Sequence, residues 1–253
     1  MVKKLAFILL ILFSFSSSAQ DEYYGTLLQQ ANEQYKQNNY DSALILFNEI
    51  ERADLWSYNL FYNKGNAYFK NNQLPLAILY YEKAKKLKPN NADLKYNIKL
   101  ANELITDKLE VIPEFFVTSQ IKSVAGIMNS NYWAWLSVLM VFIASVLFGV
   151  YFISSSISLK KMFFLLFIST SVLFVASAVL GSIKMNLETN QSGAIVFQAS
   201  LTVKSEPSNN AIELFVLHEG TKVEILETSN DWIKISLPNG DIGWVNSSSI
   251  RII

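Results

Sequence analysis

Residues 61–91 read FYNKGNAYFKNNQLPLAILYYEKAKKLKPNN, and their spacing decides the fold of the first half of the chain. Small residues at Gly65 and Ala77 let two paired helices approach closely, while Tyr68 and Tyr81 fill the gap beside them. Pro89 ends the second helix, since its ring cannot continue the helical hydrogen-bond ladder. The same pattern stands 34 residues upstream, where Ala31, Ala43, Phe47 and Ile50 occupy the places of Gly65, Ala77, Tyr81 and Ala84. That earlier copy adds Leu27 and Tyr35 but carries Gln34 at the place of Tyr68. A period of this length predicts a stack of helix pairs. A third unit starts at Ala92 and runs helically through Tyr96, Ile98, Leu100, Ala101 and Leu104 without a clear second helix. It is expected to close the stack as a capping helix.

The second copy resembles the tetratricopeptide repeat, with Gly65, Tyr68, Ala77, Tyr81, Ala84 and Pro89 on that family's signature spacing. The resemblance covers about residues 24–104. Stacks of this kind present a concave binding surface, and register places Asn32, Asn63, Asn66 and Asn97 on that side. An asparagine amide both donates and accepts, which suits the backbone of an extended peptide, so these four are candidate peptide-binding residues. The competing reading is ordinary polar surface. The family's carboxylate clamp needs basic residues besides asparagines. The matching places here hold Leu28, Asp93 and Asn97, so capture of a C-terminal carboxylate is not expected.

Composition narrows the function classes. The 253 residues carry 21 Lys+Arg against 21 Asp+Glu, with 51% hydrophobic and only 17% charged residues. The mean hydropathy of +0.23 is too high for a soluble domain, so part of the chain should sit in lipid. A neutral balance argues against a nucleic-acid partner. The absence of cysteine excludes disulfides, thiolate catalysis and cysteine-ligated metals. His218 is the one histidine, no GxxxxGK[ST] phosphate loop occurs, and no residue set looks catalytic. The expectation is a protein that is no enzyme and takes no cofactor or metal.

The apolar content falls in three blocks. Lys3 and Lys4 precede an apolar run from Leu5 to Phe13 and then Ser17-Ser18-Ala19-Gln20, which reads as a signal peptide over 1–19 cleaved after Ala19. The alternative is an uncleaved anchor. Trp133 to Ile153 is free of charge over 21 residues and Met162 to Ile183 over 22, each enough for about 30 Å of hydrocarbon as a helix. Transmembrane helices are therefore predicted at 132–153 and 162–183, with Tyr132, Trp133, Trp135 and Tyr151 as interfacial aromatics. Neither carries an ionisable residue, which weakens a transporter or channel reading. Lys160 and Lys161 place the loop 154–161 in the cytoplasm by the positive-inside rule, and export of Gln20 independently puts both termini outside the inner membrane, in the periplasm. Before the first span, 105–131 carries Pro113, then Phe115, Phe116, Val117, Ile121, Val124, Ile127 and Met128. This spacing suits a helix lying at the lipid interface, or else an element packed on the repeat domain 20–104.

After a polar linker at 184–191, the apolar period drops to about two over 192–253. Short strands are predicted around Val216-Leu217, Lys222–Leu226, Trp232–Ile235 and Gly243–Val245, with a hairpin turn at Pro238-Asn239-Gly240-Asp241. The segments LTVKSEPS, LHEGTKVEIL and DWIKISLPNGDIGWV resemble a bacterial SH3-like barrel, most specifically in the Glu219-Gly220 turn and the Gly243-Trp244-Val245 strand. At this size Trp232 and Trp244 either dominate the core or its rim, or stand as ligand contacts, since exposed aromatics of that family bind peptides including those of the cell wall. His218, beside the turn, is expected to be structural or plain surface.

The fold class is thus a multi-domain membrane protein: an α-helical tetratricopeptide solenoid, two transmembrane helices and a C-terminal all-β SH3-like barrel. That order, with FVLHEGTKVEIL, DWIKI and the IPEFF–WAWLS junction, resembles BatE-type proteins of the Bacteroides aerotolerance group. The resemblance implies an inner-membrane protein working with von Willebrand factor A-domain membrane proteins and a MoxR-like ATPase system. The function expected is a membrane-anchored scaffold that holds partner proteins through two tethered modules. The alternative is a sensor whose barrel grips peptidoglycan.

Overall fold

Helix α1 spans 22–36 in the computed structural model, which describes residues 22–109, 115–189 and 193–253. The signal-peptide reading of 1–19 and the place of Pro113 lie outside the described residues. Four helices follow α1 in the stack: α2 (Tyr40–Arg52), α3 (Tyr58–Lys70), α4 (Leu74–Leu87) and α5 (Ala92–Asn102). Asn38 and Asn72 turn the chain within the two pairs, both with positive φ (64° and 58°), a conformation asparagine tolerates better than most residues. Ser57 and Asn91 cap α3 and α5 by accepting from the Leu60 and Leu94 amides at 3.1 and 2.9 Å.

The spacing of small residues has a direct structural cause. A Cβ on Gly65 would lie 2.5 Å from Tyr81 Cδ1 and 2.7 Å from Tyr81 Cε1, so only glycine lets α3 meet α4 across that ring. Ala31, Ala43, Ala77 and Ala84 are fully buried, as is Phe47. Helix α4 is covered nearly all round, with Ala77, Ile78, Leu79, Tyr80, Tyr81, Glu82 and Ala84 all buried. Among the described residues of this unit, α5 is followed by a strap over 103–109 and not by an antiparallel second helix.

The C-terminal sheet has seven antiparallel strands in the order β3-β2-β6-β5-β4-β1-β7 and is barrel-like without being closed. The strands are β1 (Gly193–Val196), β2 (Ser200–Lys204), β3 (Glu213–His218), β4 (Lys222–Ser229), β5 (Trp232–Ser236), β6 (Ile242–Asn246) and β7 (Ile250–Ile252). The β5–β6 hairpin turns at the expected place, with Gly240 at φ 86° and its amide donating to Leu237 O at 2.9 Å. The core is aliphatic: Ala194, Val196, Leu201, Val203, Leu217, Val223, Ile233, Ile235, Leu237, Val245 and Ile250. Trp232 and Trp244 are not part of it. Each is half-buried, because Ile233, Ile235 and Val245 take the inward positions and strand alternation turns the tryptophans outward.

The helical stack and the sheet form one compact unit. Ile195 is fully buried in the helical core, and Phe197 and Ile253 pack against it. Glu82 on α4 meets Lys222 at 2.7 Å. Gly220, at φ 86°, brings the β3–β4 turn so close that a Cβ there would stand 2.8 Å from Ile105 Cγ2 and 3.3 Å from Ile78 Cδ1. The strap finishes the joint, for Asp107 accepts from the His218 amide (2.7 Å) and the Thr221 hydroxyl (2.6 Å) and pairs with His218 Nδ1 (2.7 Å). Leu109 packs on the sheet core. His218 is structural in this sense: it fastens the strap to the turn.

The second unit holds α6 (Phe116–Ala125), α7 (Ser130–Ile153) and α8 (Ile157–Thr189). Helices α7 and α8 are long and apolar enough to cross a membrane. They pair antiparallel through small and polar side chains: Gly181 admits Trp133, and Ser137 meets Ser177 at 2.9 Å, while the Trp133 indole ties α7 to α6 by donating to Ala125 O at 3.0 Å. Large apolar side chains such as Phe142, Leu165, Val172 and Leu173 stay exposed. Two details differ from the sequence reading. The break is only residues 154–156, so Lys160 and Lys161 lie in the first turns of α8, because a connection that short suffices for antiparallel helices. The polar stretch from 184 is still helical, held partly by the Lys184–Glu188 pair at 3.5 Å. Helix α6 carries Phe116, Val117, Ile121 and Val124 exposed and lies in this unit, while Ile105, Asp107 and Leu109 belong to the first.

Candidate functional site

The four asparagines meet in one row across α1, α3 and α5. The Asn63 amide donates to Asn32 Oδ1 at 2.8 Å, and the Asn97 amide donates to Asn66 Oδ1 at 2.9 Å. Tyr81 donates to Asn66 Oδ1 at 2.8 Å, and Asn97 also reaches the Tyr62 hydroxyl at 3.2 Å. Asn66 and Asn97 line a groove of about 290 Å³ with Tyr35, Tyr62, Phe69 and Tyr81, and Lys70 stands at its rim. Burial pushes the Tyr81 hydroxyl up, far above the ordinary tyrosine range, so it is a fixed donor at any physiological pH. Each amide pair uses one carbonyl and one NH2. Outside these bonds the first pair keeps the NH2 of Asn32 and the carbonyl of Asn63, and the second keeps the NH2 of Asn66 and the carbonyl of Asn97. Of the four, Asn66 and Asn97 line the groove, whose aromatic walls offer apolar area to the side chains of an extended peptide. Spacing marks Tyr81 as a packing residue and gives no signal for Tyr62, so the polar ends that both turn to the asparagines are not legible from the sequence.

A second polar system lies inside the stack. Lys64 is fully buried, with its ammonium bonded to Glu51 and to the Tyr80 hydroxyl at 2.8 Å, while Tyr80 donates to Glu51 at 2.8 Å. Lys83 approaches Glu51 at 3.3 Å. Burial alone would raise the Glu51 carboxyl, but the bonds from Lys64 and Tyr80 and the two ammonium charges hold it below its ordinary value. For Lys64, burial outweighs Glu51 and pulls the ammonium downward. Every member is satisfied, and the ammonium of Lys64 is closed to solvent. This is a structural network.

On the sheet, Trp232 and Trp244 stand on one outer face. Trp232 pairs with Asn246, and Trp244 lies between Lys204 and Lys234 on its two neighbour strands. The Lys234 ammonium sits 5.9 Å from the Trp244 ring centre. The face offers aromatic surface edged by positive charge. Among the described residues, no group of three or more His, Asp or Glu side chains is placed to hold a metal ion.

Comparison with known families agrees with both modules. Residues 58–91 match the tetratricopeptide repeat, and residues 199–251 match the bacterial SH3 domain. No curated protein matches the chain. The two matched families are interaction modules, typically without catalytic activity, and they imply protein partners or peptidoglycan.

Proposed function

We propose that this protein is an inner-membrane scaffold that binds an extended segment of a partner protein along the row Asn32, Asn63, Asn66 and Asn97. The two amide pairs, each with one donor and one acceptor group left over, and the aromatic groove lined by Asn66 and Asn97 support the reading. Helices α7 and α8 serve as the anchor, and both termini face the periplasm, a reading supported by the signal-like sequence over 1–19 and by Lys160 and Lys161 in the first turns of α8. The order of modules supports membership of the BatE-type aerotolerance group, in which von Willebrand factor A-domain proteins and a MoxR-like ATPase system are the expected partners.

Affinity capture of the full chain from native membranes tests the site. A partner recovered with the natural protein should be lost from an Asn63→Ala/Asn97→Ala variant of unchanged thermal stability. Recovery in equal amount from both would refute the site. Fusion of a reporter to either end tests the topology, which fails if either reporter is active in the cytosol.

A second reading has its own observation. The outward Trp232 and Trp244, with Lys204 and Lys234 beside them, suit a wall peptide with exposed carboxylates. Sedimentation of the full chain in detergent with purified sacculi, compared with Trp244→Ala, decides it. Equal sedimentation of the two leaves no role for this face.

A further inference from the structure

Among the described residues of its unit, α5 has no second helix of its own, and one flank of it is basic. Each earlier unit pairs two helices, α1 with α2 and α3 with α4, but α5 is followed by the strap 103–109. Beside α5 and the end of α4 lies a groove of about 660 Å³ whose rims carry Lys85, Lys95, Lys99 and Lys108 over the apolar side chain of Ile98. Residues 95, 98, 99 and 102 recur at helical spacing on one side of α5. Asn97 and Leu100, which line the asparagine groove, fall on the other side. The two grooves are therefore distinct surfaces of one helix.

The charges are poorly compensated. Among the described residues, Glu103 is the one acidic side chain lining the groove, against four lysines. Lys108 bonds the Asn102 and Glu103 carbonyls at 3.2 and 2.8 Å, which satisfies the C-terminal end of α5 without neutralising the ammonium. Lys95 reaches the neutral Asn90 amide oxygen at 3.4 Å, and Lys85 stands 3.9 Å from Glu82, which is already paired more closely with Lys222. The lysines surround the aliphatic side chain of Ile98 in a shallow depression. A helix with acidic flanks and an apolar ridge matches that pattern of positive charge around an apolar centre.

We propose that this groove takes an acidic amphipathic helix from a partner protein, seated beside α5. The proposal is independent of the asparagine row. The test uses the full chain in zwitterionic phosphatidylcholine nanodiscs, titrated with a fluorescein-labelled acidic helical peptide carrying Glu and Leu at helical spacing and with a scrambled peptide of the same composition. Saturable binding of the first peptide, weakened by added salt and absent for the scramble, is expected. Lys95→Gln/Lys99→Gln should weaken it about tenfold. Lys95→Arg/Lys99→Arg should retain it, which separates loss of charge from loss of fold, and Asn63→Ala/Asn97→Ala should leave it unchanged. No saturable binding, equal binding of both peptides, or equal binding by the Gln variant would overturn the proposal. So would protection of Lys95 and Lys99 from amine labelling by phosphatidylglycerol nanodiscs but not by the peptide, which would make the groove a lipid surface.

Discussion

Two polar systems share the helical stack, and they are built oppositely. The asparagine row is neutral, half-buried and leaves hydrogen-bonding groups over. The Lys64–Glu51–Tyr80 network is charged, enclosed and internally complete. A site that must receive a ligand keeps unspent donors and acceptors at low desolvation cost, whereas a buried ion pair tolerates no vacancy. Stability should therefore be concentrated at the second system and binding at the first.

The largest expected effect is on the enclosed network. Lys64→Ala should destabilise the full chain by about 3 kcal/mol, since Glu51 keeps a partly buried charge with fewer partners. Lys64→Met, which keeps the volume, should cost clearly less, and chemical unfolding of both variants reads the difference. If Lys64→Ala were neutral, the two systems would not differ as described. Gly65→Ala comes next, at about 2 kcal/mol, because its Cβ drives into Tyr81.

The joint between stack and sheet should respond to pH. Asp107 is held below the ordinary aspartate range: burial pushes it up, but the Thr221 hydroxyl, the His218 amide and the His218 ring together win. A carboxyl with a depressed folded value contributes stability that is complete above its unfolded pKa of about 4 and is lost as pH falls through the folded value. Thermal unfolding from pH 7 down to pH 3 should fall more steeply for the natural chain than for Asp107→Asn, which is less stable at neutral pH. Parallel curves would remove Asp107 from the joint. The smallest stability effect belongs to the asparagine row: Asn63→Ala should cost about 1 kcal/mol or less, with its consequence appearing in partner capture.

What was legible in the sequence follows the same division. Gly65, Ala77 and their counterparts at 34-residue spacing announce themselves because close helix approach admits only small residues. Asn-Gly at the β5–β6 hairpin is legible for the positive φ it accepts. The asparagines could be assigned to one side from register, but not their pairing with each other or with Tyr62 and Tyr81, which depends on how far neighbouring helices are offset. Lys64 looked like any surface lysine, since burial of a charge leaves no periodic mark when its partners are 13 and 16 positions away. Asp107 looked like a linker residue. Its partners, His218 and Thr221, lie more than a hundred positions along the chain. The outward tryptophans show the limit of composition: size leaves core, rim and ligand contact all open, and strand alternation turns both rings outward.

Helix α4 reaches two neighbours from one stretch of its surface: Tyr81 donates to Asn66, while Ile78 and Glu82, its neighbours on that stretch, meet Gly220 and Lys222. A beam fastened to both cannot tilt for one without tilting for the other. Whatever straightens or shifts α4 from the groove must be felt at the sheet, and a ligand on the sheet that moves the same beam must alter the groove to the same degree.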